Sequence, residues 1–148
     1  MFLRAGVAIS APASVNLGTR PTGTTSLSAS LGSVTVSDTR GLVVLGSWTA
    51  TVASTDFQTG AGTSNETIAK ANIAYASLAA TSSSGIGVFT PGQATVELAQ
   101  SLSVSRTAFT GTALLLNNSV TWNPTIVVSI PSSAVAGTYA ATITHSVA

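Results

Sequence analysis

The chain has 148 residues, a formal net charge of +1 and only 6% charged residues, against roughly a quarter in an average domain. That length fits one domain around one core. Five basic residues scattered singly cannot form a phosphate-tracking stripe, which excludes nucleic acid as a partner, and the lack of cysteine excludes disulfides and thiolate metal sites.

Serine and threonine supply 45 residues and alanine another 23, so solubility rests on hydroxyls and backbone. Mutual repulsion between molecules is weak and self-association is easy. Few Lys and Glu beside abundant Thr, Ser, Ala, Val and Gly is the composition of a secreted β protein. Met1-Phe-Leu-Arg4 lacks the basic start and apolar run of a signal peptide, so secretion implies a signal removed or replaced. No apolar run approaches the roughly 20 residues of a membrane helix.

Nearly every segment reads as a short strand or a turn. Gly6–Ser10 alternates with Val7 and Ile9 on one face, and Ala13–Leu17 follows after the break at Pro12. Arg20-Pro-Thr-Gly-Thr24 is a turn-rich connector. Ser26–Leu31 and Ser33–Ser37 are strands separated by Gly32. Asp38-Thr-Arg-Gly41 has turn chemistry, Leu42–Leu45 is a short apolar run, and Ser47–Ser54 is a strand with Trp48, Ala50 and Val52 alternating against Thr49 and Thr51.

Asp56–Asn65 reads as a loop with Phe57 folded back on the core. Thr67–Leu78 is rich enough in alanine for a helix, but Ile73, Tyr75 and Ser77 alternate, which favours a strand over Ile73–Leu78. Ala79–Ile86 reads as a flexible Ser/Gly loop, Gly87–Thr90 as a strand ended by Pro91-Gly92, and Thr95–Ser105 as an alternating strand. Ala113–Leu116 is a strand, Asn117-Asn118 a turn, and Ser119–Asn123 and Thr125–Ile130 are strands. The closing strand spans Thr138–Val147, with Tyr139, Ala141, Ile143 and His145 on one face.

The pattern predicts an all-β, single-domain β-sandwich or partly closed barrel of about ten to twelve short antiparallel strands, Ig- or jelly-roll-like. Residues 1–23 precede the Pro/Gly connector and read as an N-terminal β arm, exchanged between molecules or docked, on a sandwich domain over 24–148. Gly32, Gly92 and Gly111 are placed at turns.

Trp48 and Trp122 are either a sugar-stacking platform or core anchors, and the shared face with Ala50 and Val52 favours the core. His145 is the single histidine; without a G-x-S-x-G elbow it reads as an exposed strand residue rather than part of a nucleophilic triad. Asp56 and Glu66 flank one loop, but calcium needs six to eight oxygens, so no metal or cofactor is expected. Asp38 and Arg40 brace their own turn, and the sequons at Asn65 and Asn117 read as ordinary turn residues.

The order Asp38-Thr39-Arg40-Gly41, Trp48, Phe57, Trp122-Asn123-Pro124 and Gly137-Thr138-Tyr139 through Ile143-Thr144 resembles the WxL-like surface domains of Gram-positive bacteria over roughly residues 7–148. The second Trp-x-Leu of the founding subgroup is replaced by His145-Ser146-Val147. The resemblance implies an extracellular, cell-surface β domain.

Two functions follow. The first is a non-catalytic structural subunit that assembles with itself into a layer or filament by strand addition, with Val7, Ile9, Val15 and Leu17 as the inserted side chains of the arm. The second is a monomeric surface module binding peptidoglycan, a wall polysaccharide or a host protein, in which the N-terminal strand pairs within its own domain.

Overall fold

A computed structural model describes residues 6–41 and 46–148. The predicted apolar run at 42–45 and the segment Met1–Arg4 lie outside the described residues. In chain order the strands are β1 (Val7–Ser10), β2 (Ser26–Ser30), β3 (Val34–Asp38), β4 (Gly46–Ser54), β5 (Phe57–Gln58), β6 (Thr67–Ile68) and β7 (Ile73–Ala76). β8 (Ala80–Ser84), β9 (Val88–Pro91), β10 (Gln100–Ser101), β11 (Arg106–Leu114), β12 (Asn118–Trp122), β13 (Thr125–Ser129) and β14 (Ile143–Val147) follow. They form three four-stranded antiparallel sheets, ordered β1-β3-β12-β8, β10-β7-β13-β2 and β14-β4-β11-β9, and a two-stranded β5-β6 pair. The fold is all-β, with fourteen strands among the described residues rather than ten to twelve. None of these sheets closes into a barrel, and the fold is that of a β-sandwich.

Period-two alternation explains the central strands. Trp48, Ala50 and Val52 of β4 are buried, as are Val34 and Val36 of β3, Val120 and Trp122 of β12, and Ile126 and Val128 of β13. Their partners in sequence are mostly Thr and Ser turned outward. At about 25 cal/mol per Å² of apolar surface, burial of these side chains is the main favourable term of the fold. Phe57 folds back on the core as expected, but it does so from β5, paired with β6, where the sequence suggested a loop.

Five further segments depart from the sequence expectation. Ala13–Leu17 forms no strand; the Asn16 side chain instead closes a local turn by accepting the Gly18 N–H at 2.8 Å. Ala79–Ile86, expected as a loop, contains β8, whose five residues are all exposed, so it has no buried face to leave a periodic signal. Thr95–Ser105 is not one strand: a 3-10 turn at Val96–Leu98 is closed by Leu98 N–H to Thr95 C=O, and only Leu102 of its apolar residues is buried. The strand expected at Ala113–Leu116 is the end of β11, which begins at Arg106. The closing strand is shorter than Thr138–Val147, although Tyr139, Ala141, Ile143 and His145 keep their alternation.

β11 escaped detection for a physical reason. Its register against β4 shifts between Thr107 and Phe109, so consecutive Ala108 and Phe109 are both buried. A bulge inserts one residue and interrupts the period. Gly111 is not at a turn; it lies in β11 opposite Trp48, and a Cβ there would stand 2.6 Å from the indole ring.

Candidate functional site

Two polar networks run through the core. In the first, Arg40 Nε and Nη2 donate to Asp38 Oδ1 and Oδ2 at 2.9 and 2.8 Å, a bidentate ion pair. Arg40 N–H also donates to Asp38 Oδ1, and Arg40 Nη2 to the Ser47 carbonyl at the start of β4. Asn118 Nδ2 donates to Asp38 Oδ2 at 3.0 Å, while its Oδ1 accepts Trp48 Nε1–H at 3.0 Å. Gly41, at φ +79°, gives its N–H to Asn117 Oδ1. Thus the turn, the tryptophan strand and the start of β12 are tied by one buried carboxylate. The Arg40 guanidinium beside Asp38 holds its carboxyl down at about 2. Asn118 is not a turn residue; it opens β12 with its side chain buried.

In the second network, Trp122 Nε1–H donates to Tyr75 Oη at 3.0 Å, and Tyr75 Oη lies 2.8 Å from His145 Nε2. With its oxygen accepting from Trp122, Tyr75 is free to donate its own proton to a neutral imidazole. His145 is therefore not an exposed strand residue. Burial pushes its pKa down to about 4 and pushes the Tyr75 phenol above its ordinary value. Trp122 also stacks on Phe109, with ring centroids 4.8 Å apart. Trp48 and Trp122 are 1% and 0% exposed, so neither indole is available as a surface platform.

The remaining motif residues sit apart from these networks. Pro124 accepts the Leu31 N–H at 2.9 Å, and Asn123 Oδ1 accepts the Ser30 hydroxyl. Tyr139 donates to the Val135 carbonyl at 2.6 Å. Asp56 accepts the Lys70 N–H, whereas Glu66 holds Ala61 N–H and the Thr63 hydroxyl, so the two carboxylates flanking the loop serve different partners. An open depression of about 460 Å³ lies beside Asp56, lined by Thr55, Gln58, Ala140, Ala141 and Thr142.

The arm residues are divided. β1 pairs antiparallel with β3 of the same chain, Val7 opposite Asp38 and Ile9 opposite Val36. Val7, Ile9 and Leu17 pack against the core, while Val15 is exposed.

The scarcity of charge that would guard strand edges is legible in the sequence, but which strands end a sheet is not. Among the described residues the edge strands of the three four-stranded sheets are β1, β8, β10, β2, β14 and β9, and none contains Asp, Glu, Lys or Arg. Among the described residues, the charged ones that do lie in strands, Asp38 and Arg106, belong to the interior strands β3 and β11. Edge strands ordinarily carry charge to discourage pairing with another chain.

No family model matches the chain, and no curated protein matches it. A solved structure described as "Chaperone-tip adhesin complex is vital for synergistic activation of CFA/I fimbriae biogenesis" is similar, with 14% identity and a TM-score of 0.47. The similarity covers 96% of this chain and 42% of that one, so the chain spans less than half of that structure's length. Identity and score this low carry no function across.

Proposed function

We propose that the chain is a non-catalytic structural domain of the WxL-like kind, acting outside a bacterial cell and assembling with copies of itself by strand addition at a sheet edge. The observation that supports this is the lack, among the described residues, of any charged residue in the six edge strands of the four-stranded sheets. Such edges offer main-chain donors and acceptors without the usual electrostatic deterrent, and a net charge of +1 adds little repulsion between molecules. A non-catalytic role is supported by the engagement of His145 Nε2 with Tyr75 rather than with a serine. The motif residues Asp38, Arg40, Gly41 and Trp48 take part in structural hydrogen bonds, as expected of a scaffold.

Light scattering with negative-stain imaging of the full chain tests this assignment. Particles larger than one chain that grow with concentration support it; a single-chain mass at every concentration opposes it.

A second function, a monomeric module that binds peptidoglycan, a wall polysaccharide or a host protein, is favoured by the pairing of β1 with β3 in the same chain. Enrichment on cell-wall preparations beyond that of an unrelated β domain, by a chain that stays monomeric, would select it.

A further inference from the structure

The six edges of the four-stranded sheets are not equally open. β1 and β14 lie against each other. β10 is only two residues long. β8 has a register shift against β12 between Thr121 and Trp122, and such irregularities twist an edge away from a straight partner. β9 ends in Pro91. Gly92 N–H donates to Ala108 C=O, which fixes the alternation so that Phe89 and Pro91 turn their main chain outward, and proline brings no N–H to that side.

β2 has none of these protections. It is five residues long, contains no proline and no charge, and runs in unbroken register against β13. At its two ends Leu31 N–H donates to Pro124 C=O and Ile130 N–H donates to Thr25 C=O. In an antiparallel ladder the bonded residues alternate, so Leu27 and Ala29 turn their main chain to β13. Ser26, Ser28 and Ser30 turn theirs away from it. The side chains of these three serines are exposed, while Leu27 and Ala29 are half-buried.

We infer that β2 is the joining edge and that it pairs antiparallel with β2 of a second copy across a twofold axis at Ser28. This rests on the self-assembly proposed above and names its contact. The sequence Ser26-Leu-Ser-Ala-Ser30 is its own complement in that register. Ser28 faces its counterpart, Ser26 faces Ser30, and each of these pairs exchanges two N–H···O bonds. On the inner face Leu27 meets Ala29, a large side chain against a small one. On the outer face only hydroxyls meet. No like charges approach across the axis, which an edge lysine would impose. The contact joins β10-β7-β13-β2 of each copy into one continuous sheet. A twofold contact is closed, so β2 alone yields a dimer and any larger array grows through another face.

The absence of native cysteine makes the register directly measurable by single-cysteine variants. In the proposed dimer the Ser28 Cα atoms lie about 5.5 Å apart, within reach of a disulfide. The Ser26 Cα atoms, offset by four residues, lie about 13 Å or more apart, out of reach. Under mild oxidation of full-length chain, Ser28→Cys is expected to form a covalent dimer at least about tenfold faster than Ser26→Cys or Ser82→Cys of β8. Light scattering of the unmodified chain accompanies the assay, and circular dichroism confirms that each variant folds. A multimeric chain in which Ser28→Cys crosslinks no faster than the other two overturns the β2 contact while leaving self-assembly standing. A monomeric chain with no crosslinking at any position overturns both. Ser28→Pro, which removes only an outward N–H, is expected to abolish the dimer while leaving the ladder to β13 intact, and a dimer that persists in this variant overturns the contact.

Discussion

Tyr75 joins Trp122 to His145 through a single phenol oxygen, and this arrangement sets a pH response. The unfolded imidazole takes a proton below its ordinary value of 6.5, whereas the folded one takes it only near 4. Between those values the unfolded state binds more protons, so stability falls as pH drops from about 6.5 to about 4, by about 2–3 kcal/mol. Asp38 acts in the next window: its folded value is about 2 against an ordinary 3.8, so its contribution is present above 3.8 and is lost as pH falls toward 2. Urea unfolding midpoints from pH 7 to pH 2 measure both, and His145→Gln is expected to flatten the upper window alone. Gly111→Ala tests the packing under Trp48, where a Cβ would stand 2.6 Å from the ring. The expected loss is about 2–4 kcal/mol, read from the denaturation midpoint. The sequence disclosed that Trp48 faces inward, because Ala50 and Val52 share its parity. It did not disclose Asn118, since a buried hydrogen-bonding asparagine and a turn asparagine look alike until the fold brings Asp38 and Trp48 to it.

Among the elements, the strands with one apolar face were legible and those without were not. β3, β4, β12 and β13 show the period in their side chains. β8 is held by main-chain pairing to β12 and exposes every side chain, so its polar sequence resembles a loop. β11 hides its period behind a bulge. Thr95–Ser105 made the opposite error, because alternating Val96, Leu98 and Val104 are exposed rather than buried. The N-terminal segment is legible only in part: Val7 and Ile9 alternate on sequence, but nothing in them specifies that β3 of the same chain is the partner. With β1 docked at home, Ile9→Ala is expected to cost about 1–2 kcal/mol. In the Ser28→Pro background, which lacks the β2 contact, the midpoint should not vary with protein concentration, whereas an exchanged arm would make it concentration-dependent. Thermal melts over a hundredfold range of concentration distinguish the two cases.

For the whole molecule, scarcity of charge has two consequences that act together. Few charges leave little repulsion between copies, and among the described residues none of them falls in an edge strand. The small charge was visible in composition; its exclusion from edges became visible only once strand order was known, because a sequence does not say which strands end a sheet. Association through main-chain hydrogen bonds and uncharged side chains should be nearly insensitive to salt, since ionic screening acts on charge pairs. The most direct measurement is therefore particle mass by light scattering across a concentration series, repeated at low salt and at about 0.5 M salt, where the screening length falls to a few ångströms. The account predicts a mass above that of one chain that rises with concentration and is the same at both salt levels. A mass of one chain throughout, or an assembly that dissolves when salt is added, would contradict it.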